Sequence, residues 1–229
     1  MPYFRSVYDI QADKYTHEAP FDYICVYDFE CQCDKNNNLP FNEIIEFPVV
    51  IVDVKNQKIA HEFHTYVKPV IVPKLTEFCT ELTGIKQDQV DKGILIQDAM
   101  KQLHAFLESK GLFKTEFVFA SCGDFDGNQM KRESNHKQFK VPAYLRRWIN
   151  LKKVFSTGEA NPAFASPKTI TKTKSVSGGM TDMLDKLGLK LEGRHHSGID
   201  DARNLARVVC EMLSRKFVFG QGMVHVSNY

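Results

Sequence analysis

The chain has 229 residues, of which 43% are apolar and 25% are charged, and its formal net charge is +2. These values are typical of a globular domain with a substantial core, and they exclude a polybasic arm. No apolar run approaches the length of a membrane span, and the N-terminus lacks the apolar stretch of a signal peptide. Any surface for nucleic acid must therefore come from local clustering of lysine and arginine.

The first predicted element is a strand over residues 23–30 that ends in two carboxylates, and it follows a polar and aromatic flanking segment, residues 1–20. Asp28 and Glu30 come directly after the apolar run, and side chains two residues apart on a strand share one face. Two like charges at the end of a buried strand repel each other, and a hard cation such as Mg²⁺ or Mn²⁺ would neutralise them. The alternative is an exposed strand end with two solvated acids.

Short connections lead to two further strands, residues 44–52 and 59–67, so the first three strands are predicted to form an antiparallel meander. The elements that follow are a helix at 75–82, a helix at 96–107, a strand at 117–120, a strand near 148–151, a helix at 180–187 and a helix at 200–214. Residues 156–179 are rich in Ser, Thr, Lys, Pro and Gly and are predicted to form a mobile loop. No repeat or linker divides the chain, which predicts a single domain over residues 21–229.

Two neighbouring aspartates open the last helix, and helical spacing separates them. Asp201 has Leu205 and Val208 four and seven residues later, so its side chain lies on the packed face and needs a partner there. Asp200 has polar residues at the same spacings, so it is expected to need no partner and only to complement the helix N-terminus.

Two more groups of polar residues complete the candidate site. Asp124-Phe125-Asp126 follows the strand at 117–120, where α/β folds commonly place functional side chains, although a solvated turn would have the same composition. His195 and His196 precede the last helix, and their alternative is a pair of surface loop histidines. The strand-end pair, the turn aspartate and the helix aspartate together predict one metal centre with a histidine beside it.

The cysteines are dispersed, mostly within apolar runs, which predicts reduced thiols in an intracellular protein, cytoplasmic or nuclear. Their positions are Cys25, Cys31, Cys33, Cys79, Cys122 and Cys210. Cys31 and Cys33 form a C-x-C pair, but no second pair at zinc spacing accompanies it, so a zinc site is not predicted.

The order Asp28-x-Glu30, Phe125-Asp126 and His196-x-x-x-x-Asp201 resembles the DEDDh group of 3′→5′ exonucleases. The chain is more similar to the Eri-type exoribonucleases, which include the 3′ histone-mRNA exonuclease. The matching stretches are residues 28–30, 43–48, 78–85, 122–126, 148–153 and 196–201. They cover about residues 21–219 in the same order as in that family.

The resemblance implies an RNase H-like α/β fold, with a mixed five-stranded sheet flanked by helices. It implies a 3′→5′ exoribonuclease that releases 5′-mononucleotides from RNA with a free 3′ end, with DNA as an alternative substrate and no membrane partner. It also implies two Mg²⁺ or Mn²⁺ ions. The residues that it assigns are Asp28, Glu30, Asp126 and Asp201 as metal ligands, His196 as general base, Glu30 as a group that orients the attacking water, and Cys31, Leu82 and Phe125 as contacts to the terminal nucleotides.

The choice of Asp126 over Asp124 and of His196 over His195 rests on this resemblance. A binding module with the same fold would not need His196, which disfavours that alternative.

Two departures from the family are expected to matter. The segment before the first strand is too short for the accessory nucleic-acid-binding domain of some relatives, which weakens the case for histone stem-loop specificity. The loop at 156–179 is longer than in close relatives and carries Lys168, Lys172 and Lys174.

Overall fold

The structure is a computed structural model, and it describes residues 20–158 and 178–228. In these residues the core element is one mixed sheet of seven strands. The strands are β1 (Tyr23–Tyr27), β2 (Glu30–Cys31), β3 (Ile44–Asp53), β4 (Lys58–Tyr66), β5 (Phe117–Ser121), β6 (Arg147–Asn150) and β7 (Val224–Val226).

Strand β1 lies at the centre of the sheet, between β3 and β5. It is antiparallel to β3 and parallel to β5, and β5 is in turn parallel to β6. Strand β2 continues along the same side of β3 as β1, while β4 pairs with the other side of β3. The carboxyl end of β1 therefore lies inside the sheet, next to the carboxyl end of β5, and this is where α/β sheets bind ligands.

In the described residues, seven α-helices and three short 3₁₀ helices accompany the sheet. The α-helices are α1 (Glu77–Thr83), α2 (Gln87–Asp91), α3 (Ile96–Ser109), α4 (Phe125–Lys137), α5 (Leu151–Gly158), α6 (Met180–Leu187) and α7 (Gly198–Ser214), and the 3₁₀ helices are Leu112–Lys114, Ala143–Arg146 and Gln221–Met223. Gly84 ends α1 and Gly188 ends α6, each in the left-handed conformation that glycine adopts at low cost.

Each face of the sheet has its own core because successive side chains of a strand point to opposite faces. Ile24 and Val26 of β1 pack with α6 and α7, whereas Cys25 and Tyr27 pack on the face covered by α3. Strand β3 is also buried over nearly its whole length, because helices cover the sheet on both faces.

The structure corrects the predicted elements at four points. The predicted strand over residues 23–30 is divided into β1, which ends at Tyr27, and β2, which begins at Glu30. The sheet has two strands more than the predicted five, β2 and β7, which have two and three residues and are too short to show an alternating pattern. Helix α7 begins at Gly198, two residues before the predicted start. Helix α5 runs to Gly158, so the predicted loop at 156–179 begins too early.

Some predictions fall on residues outside the described ranges. They are the flanking segment up to residue 19, and residues 159–177 with their three lysines, whose predicted mobility stays a prediction. Within the described ranges, no helix has both the length and the apolar composition that a membrane span requires.

Candidate active site

The strand-end acids and the helix aspartate meet at the carboxyl end of β1. Asp28 follows β1 directly, Glu30 opens β2, and Asp201 lies in the first turn of α7. Each of the three offers a carboxylate oxygen, and these oxygens all lie within 4.8 Å of one another. The structure therefore brings together residues that are up to 173 positions apart in the sequence, counted from 28 to 201.

Asp126 is held against the same strand end by a backbone contact. It lies in the first turn of α4 and is 2% exposed, and its Oδ1 accepts a hydrogen bond of 2.8 Å from the backbone N–H of Phe29. Phe29 lies between the two strand-end acids, and its ring packs edge-on against Phe47 in the core. This contact fixes α4 relative to the turn between β1 and β2.

Asp201 has one carboxylate oxygen that is bonded and one that is not. Its Oδ2 accepts a hydrogen bond of 2.9 Å from the backbone N–H of His196, whereas its Oδ1 is buried without a hydrogen-bond partner. A buried carboxylate oxygen without a partner is costly, and a bound cation removes that cost. Asp201 therefore fits a metal ligand that has one oxygen free for a cation.

The charges of the four acids oppose one another in the absence of a cation. Burial, followed by the charges of Asp126 and Glu30, raises the pKa of Asp28 well above its usual value. Burial raises the pKa of Glu30 to about 9, that of Asp126 to about 7 and that of Asp201 to about 6. These hard oxygen donors fit a divalent ion such as Mg²⁺ or Mn²⁺, whose charge would restore the ionised forms.

His196 is held in an unusual backbone conformation beside Asp201. Its φ of +66° lies in the left-handed region, and its exposed ring stacks on that of His195 with a centroid distance of 4.0 Å. Burial lowers the pKa of His196, and the positive charges of His195 and Arg194 lower it further. Both rings lie close enough to Asp201 to share a metal-ligand cluster with it, so proximity alone does not distinguish them.

The two neighbouring aspartates have partners of their own. Asp124 Oδ1 accepts a hydrogen bond of 3.0 Å from the indole N–H of Trp148. Asp200 Oδ2 accepts one of 3.0 Å from the backbone N–H of Arg194, and its Oδ1 lies 3.3 Å from a guanidinium nitrogen of Arg203. The expectation that Asp200 needs no partner is wrong, because this carboxylate fixes the loop that leads to the histidines.

Two of the three residues predicted to contact the nucleotide, Phe125 and Cys31, adjoin an acid of the site in sequence, and the third, Leu82, is bonded through its carbonyl to Arg194. Phe125 is the first residue of α4 and is 59% exposed, and Leu82 is half-buried in the last turn of α1. Cys31 lies in β2, where its backbone pairs with Ile44 and its carbonyl accepts a contact of 3.8 Å from the Cys79 thiol.

Sequence reasoning missed two residues that organise the site. Arg194 binds the backbone carbonyls of Glu81 and Leu82 at the end of α1, which links that helix to the histidine loop. Glu46 is a buried acid near the start of β3, 1% exposed. A charged residue between Ile45 and Phe47 was a usable signal, because a charge inside a buried strand requires a partner.

Comparison with known proteins agrees with this geometry. A protein-family profile described as Exonuclease matches residues 25–209. The chain is 36% identical over 221 residues to mouse 3′-5′ exoribonuclease 1, covering 92% of this chain and 61% of the relative. It is 37% identical over 204 residues to human ERI1 exoribonuclease 3, covering 88% of this chain and 56% of that one. The chain thus spans little more than half of the length of these curated relatives.

A solved structure gives the same result. It is the nuclease domain of 3′hExo, described as a DEDDh family member bound to rAMP, with a TM-score of 0.74 and 34% identity, covering 85% of this chain and 92% of that one. Escherichia coli exonuclease I shares only the fold, with a TM-score of 0.58 at 14% identity. The chain belongs to the exonuclease family, in its DEDDh group. This confirms the family resemblance and the RNase H-like fold, and dependence on a divalent metal ion is a property of that group.

Proposed function

We propose that this chain is a metal-dependent 3′→5′ exoribonuclease that releases 5′-mononucleotides from the free 3′ end of RNA. The observation that carries the proposal is the meeting of Asp28, Glu30 and Asp201 within 4.8 Å, with Asp126 tied to the same strand end. Clusters of carboxylate oxygens are suited to hard divalent cations and to phosphate chemistry.

In this proposal the four acids hold two Mg²⁺ or Mn²⁺ ions. When bound, such ions supply positive charge for the scissile phosphate and lower the pKa of the attacking water. His196 accepts the proton of that water, and its lowered pKa keeps the ring neutral and able to do so near pH 7. Glu30 orients the water, and the raised pKa of Glu30 supports a bound cation, whose charge would keep this carboxyl group ionised.

The terminal nucleotide is proposed to lie between Leu82, Phe125 and the backbone of Cys31. The exposed ring of Phe125 is available to lie beside a base, and aromatic rings are common supports for single-stranded nucleotides. Leu82 would wedge against the terminal base, and Arg194 ties its helix to the loop of the proposed general base. A site built in this way recognises a chain end rather than an internal bond.

RNA is the proposed substrate because the similar proteins are named for it. One solved structure with a TM-score of 0.75 and 32% identity is described as 3′-end specific recognition of histone mRNA stem-loop by 3′-exonuclease. DNA is the second candidate, because a Drosophila melanogaster relative at 33% identity is named only 3′-5′ exonuclease Snipper. An intracellular location, cytoplasmic or nuclear, is supported by the six cysteines, all of which are free thiols.

The test uses RNA and DNA oligomers of one sequence, labelled at the 5′ end, with Mg²⁺, Mn²⁺ or EDTA. We expect stepwise shortening of RNA from the 3′ end with either metal ion, release of 5′-mononucleotides, and no reaction in EDTA. RNA with a blocked 3′ end should resist digestion. Full activity in EDTA, or cleavage of a circular RNA at a comparable rate, would contradict the proposal.

A further inference from the structure

Glu46 is a buried acid next to the site that is not one of its four carboxylates. It lies in β3, where its backbone pairs with Glu30 on one side and with Tyr66 on the other. Its side chain is 2% exposed, so its charge needs compensation inside the protein. The groups that bind the Glu46 carboxylate indicate its role.

Both oxygens of Glu46 bind the start of α7. Oε2 accepts a hydrogen bond of 2.9 Å from the backbone N–H of Gly198, and Oε1 accepts one of 3.2 Å from that of Ile199. Oε1 also lies 2.8 Å from His64 Nε2. The first N–H groups of a helix have no partner within the helix, and the N-cap residue Ser197 makes no side-chain cap bond. Glu46 therefore caps α7 from a neighbouring strand, with its charge at the positive end of the helix dipole.

Gly198 fits closely between this carboxylate and the backbone of Asp28, directly after β1. A Cβ at Gly198 would lie 2.7 Å from the backbone carbonyl oxygen of Asp28 and 2.9 Å from Glu46 Oε2. Because the Asp28 carbonyl is backbone, it cannot move aside for a larger residue. The contact therefore sets the position of α7 relative to the end of β1.

Asp201 is in the same first turn of α7. Its backbone N–H bonds to the carbonyl of Ser197 at 2.8 Å, and its carboxylate holds the backbone of His196. A displacement of the start of α7 would thus move the helix-borne metal ligand and the proposed general base together.

We propose that Glu46 is a positioning residue, which fixes the start of α7 so that the carboxylate of Asp201 meets those of Asp28 and Glu30. The inference rests on the proposed function, because it takes Asp201 as a metal ligand. Glu46 is not itself a ligand, since its oxygens are occupied by Gly198, Ile199 and His64. Its charge also adds to the negative potential of the site, and it is the largest charge effect that raises the pKa of Glu30.

The experiment compares Mn²⁺ binding by the wild type, Glu46→Ala and Glu46→Gln, measured by calorimetry without nucleic acid. Groups that orient metal ligands typically contribute about 10- to 100-fold to metal affinity. We expect Glu46→Ala to weaken Mn²⁺ binding by about tenfold or more and to lower kcat more than it raises KM. Glu46→Gln, which keeps a carbonyl acceptor but not the charge, should lie between Ala and the wild type.

The matched control is Glu62→Gln. Glu62 is an acid of the adjacent strand β4 that also contacts α7, through a partly exposed ion pair with Arg203 at 2.7 Å. Exposed pairs contribute little, so this variant should bind Mn²⁺ like the wild type. Circular dichroism and thermal unfolding in EDTA would establish that each variant is folded. Should Glu46→Ala fail to fold, the near-isosteric Glu46→Gln carries the comparison.

Wild-type Mn²⁺ affinity in the folded Glu46 variants would overturn the proposal, as would an equal loss in Glu62→Gln. The test is separate from that of the proposed function. A wild-type protein that binds Mn²⁺ but leaves RNA intact would refute the exoribonuclease, while the Mn²⁺ affinities would still decide the role of Glu46.

Discussion

At the scale of single residues, the site contains three pairs of neighbours with similar chemistry and different surroundings. Asp126 and Asp201 are buried, at 2% and 4% exposure. Asp124 and Asp200 are more accessible, and each accepts a hydrogen bond from a protein N–H group. The roles of these neighbours can be separated by substitution.

We expect Asp126→Asn, His196→Ala and Asp201→Asn each to lower single-turnover release of 5′-mononucleotides by roughly 10²-fold or more. Loss of a metal ligand or of the base removes several kcal/mol of transition-state stabilisation. The matched variants Asp124→Asn, His195→Ala and Asp200→Asn should keep most of the rate. In the two aspartate variants an asparagine oxygen still accepts the hydrogen bond, and His195 is not the proposed base.

The histidine pair is the sharpest part of this comparison, since both rings lie beside Asp201. If His195→Ala is inactive and His196→Ala is active, the assignment of the base is wrong. A reversal at either aspartate pair would likewise move the ligand to the neighbouring residue. An additional variant, Asp200→Ala, should be slower than Asp200→Asn, because alanine leaves the N–H of Arg194 without its acceptor.

At the scale of elements, the site depends on how α1 and α7 are joined. Arg194, in the loop before α7, binds the carbonyls of Glu81 and Leu82, and its guanidinium would contact a Cβ placed at Gly84 at 3.0 Å. This one side chain links the proposed wedge against the terminal base to the loop of the proposed general base. The two parts of the nucleotide pocket are therefore expected to move as one.

Arg194→Ala should raise KM for a short RNA several-fold while the protein stays folded, because the end of α1 loses its tie to the histidine loop. The matched control is Arg215→Ala, which removes the same charge and also a bond to a backbone carbonyl, that of Leu187 at 2.9 Å. Arg215 lies at the other end of α7, so its removal should leave KM unchanged. Equal KM values in Arg194→Ala and the wild type would show that the link does not support RNA binding.

At the scale of the whole molecule, the acidic centre makes stability depend on pH and on metal. The folded-state pKa values of Glu30, Asp126 and Asp201 are raised to about 9, 7 and 6. The folded metal-free protein thus holds protons that the unfolded chain releases above about pH 4. Since the folded state binds more protons, the free energy of unfolding falls as pH rises from there towards 9.

We therefore expect urea unfolding in EDTA to show lower stability at pH 8 than at pH 6, and Mg²⁺ to stabilise the protein more at pH 8. Glu30→Gln should flatten the pH dependence in EDTA, because it removes the group with the highest of the three values. Stability in EDTA that is constant or rises over this range would contradict the raised pKa values.

The sequence by itself determined the elements in which apolar residues recur at a regular spacing, and it determined the order of the acids. The strand before Asp28 and the helix face of Asp201 follow from patterns within a few residues, and the structure has both. The fold class also followed, because the family resemblance covers most of the chain. Strands β2 and β7 were missed, since two or three residues carry no period of their own.

Only the tertiary structure decided which groups meet. Glu46 and Gly198 are 152 residues apart, and Arg194 and Leu82 are 112 apart, so no local pattern could pair them. The physical reason is that local periodicity specifies which face of an element is buried, whereas the partner of a buried charge is set by packing between elements distant in sequence.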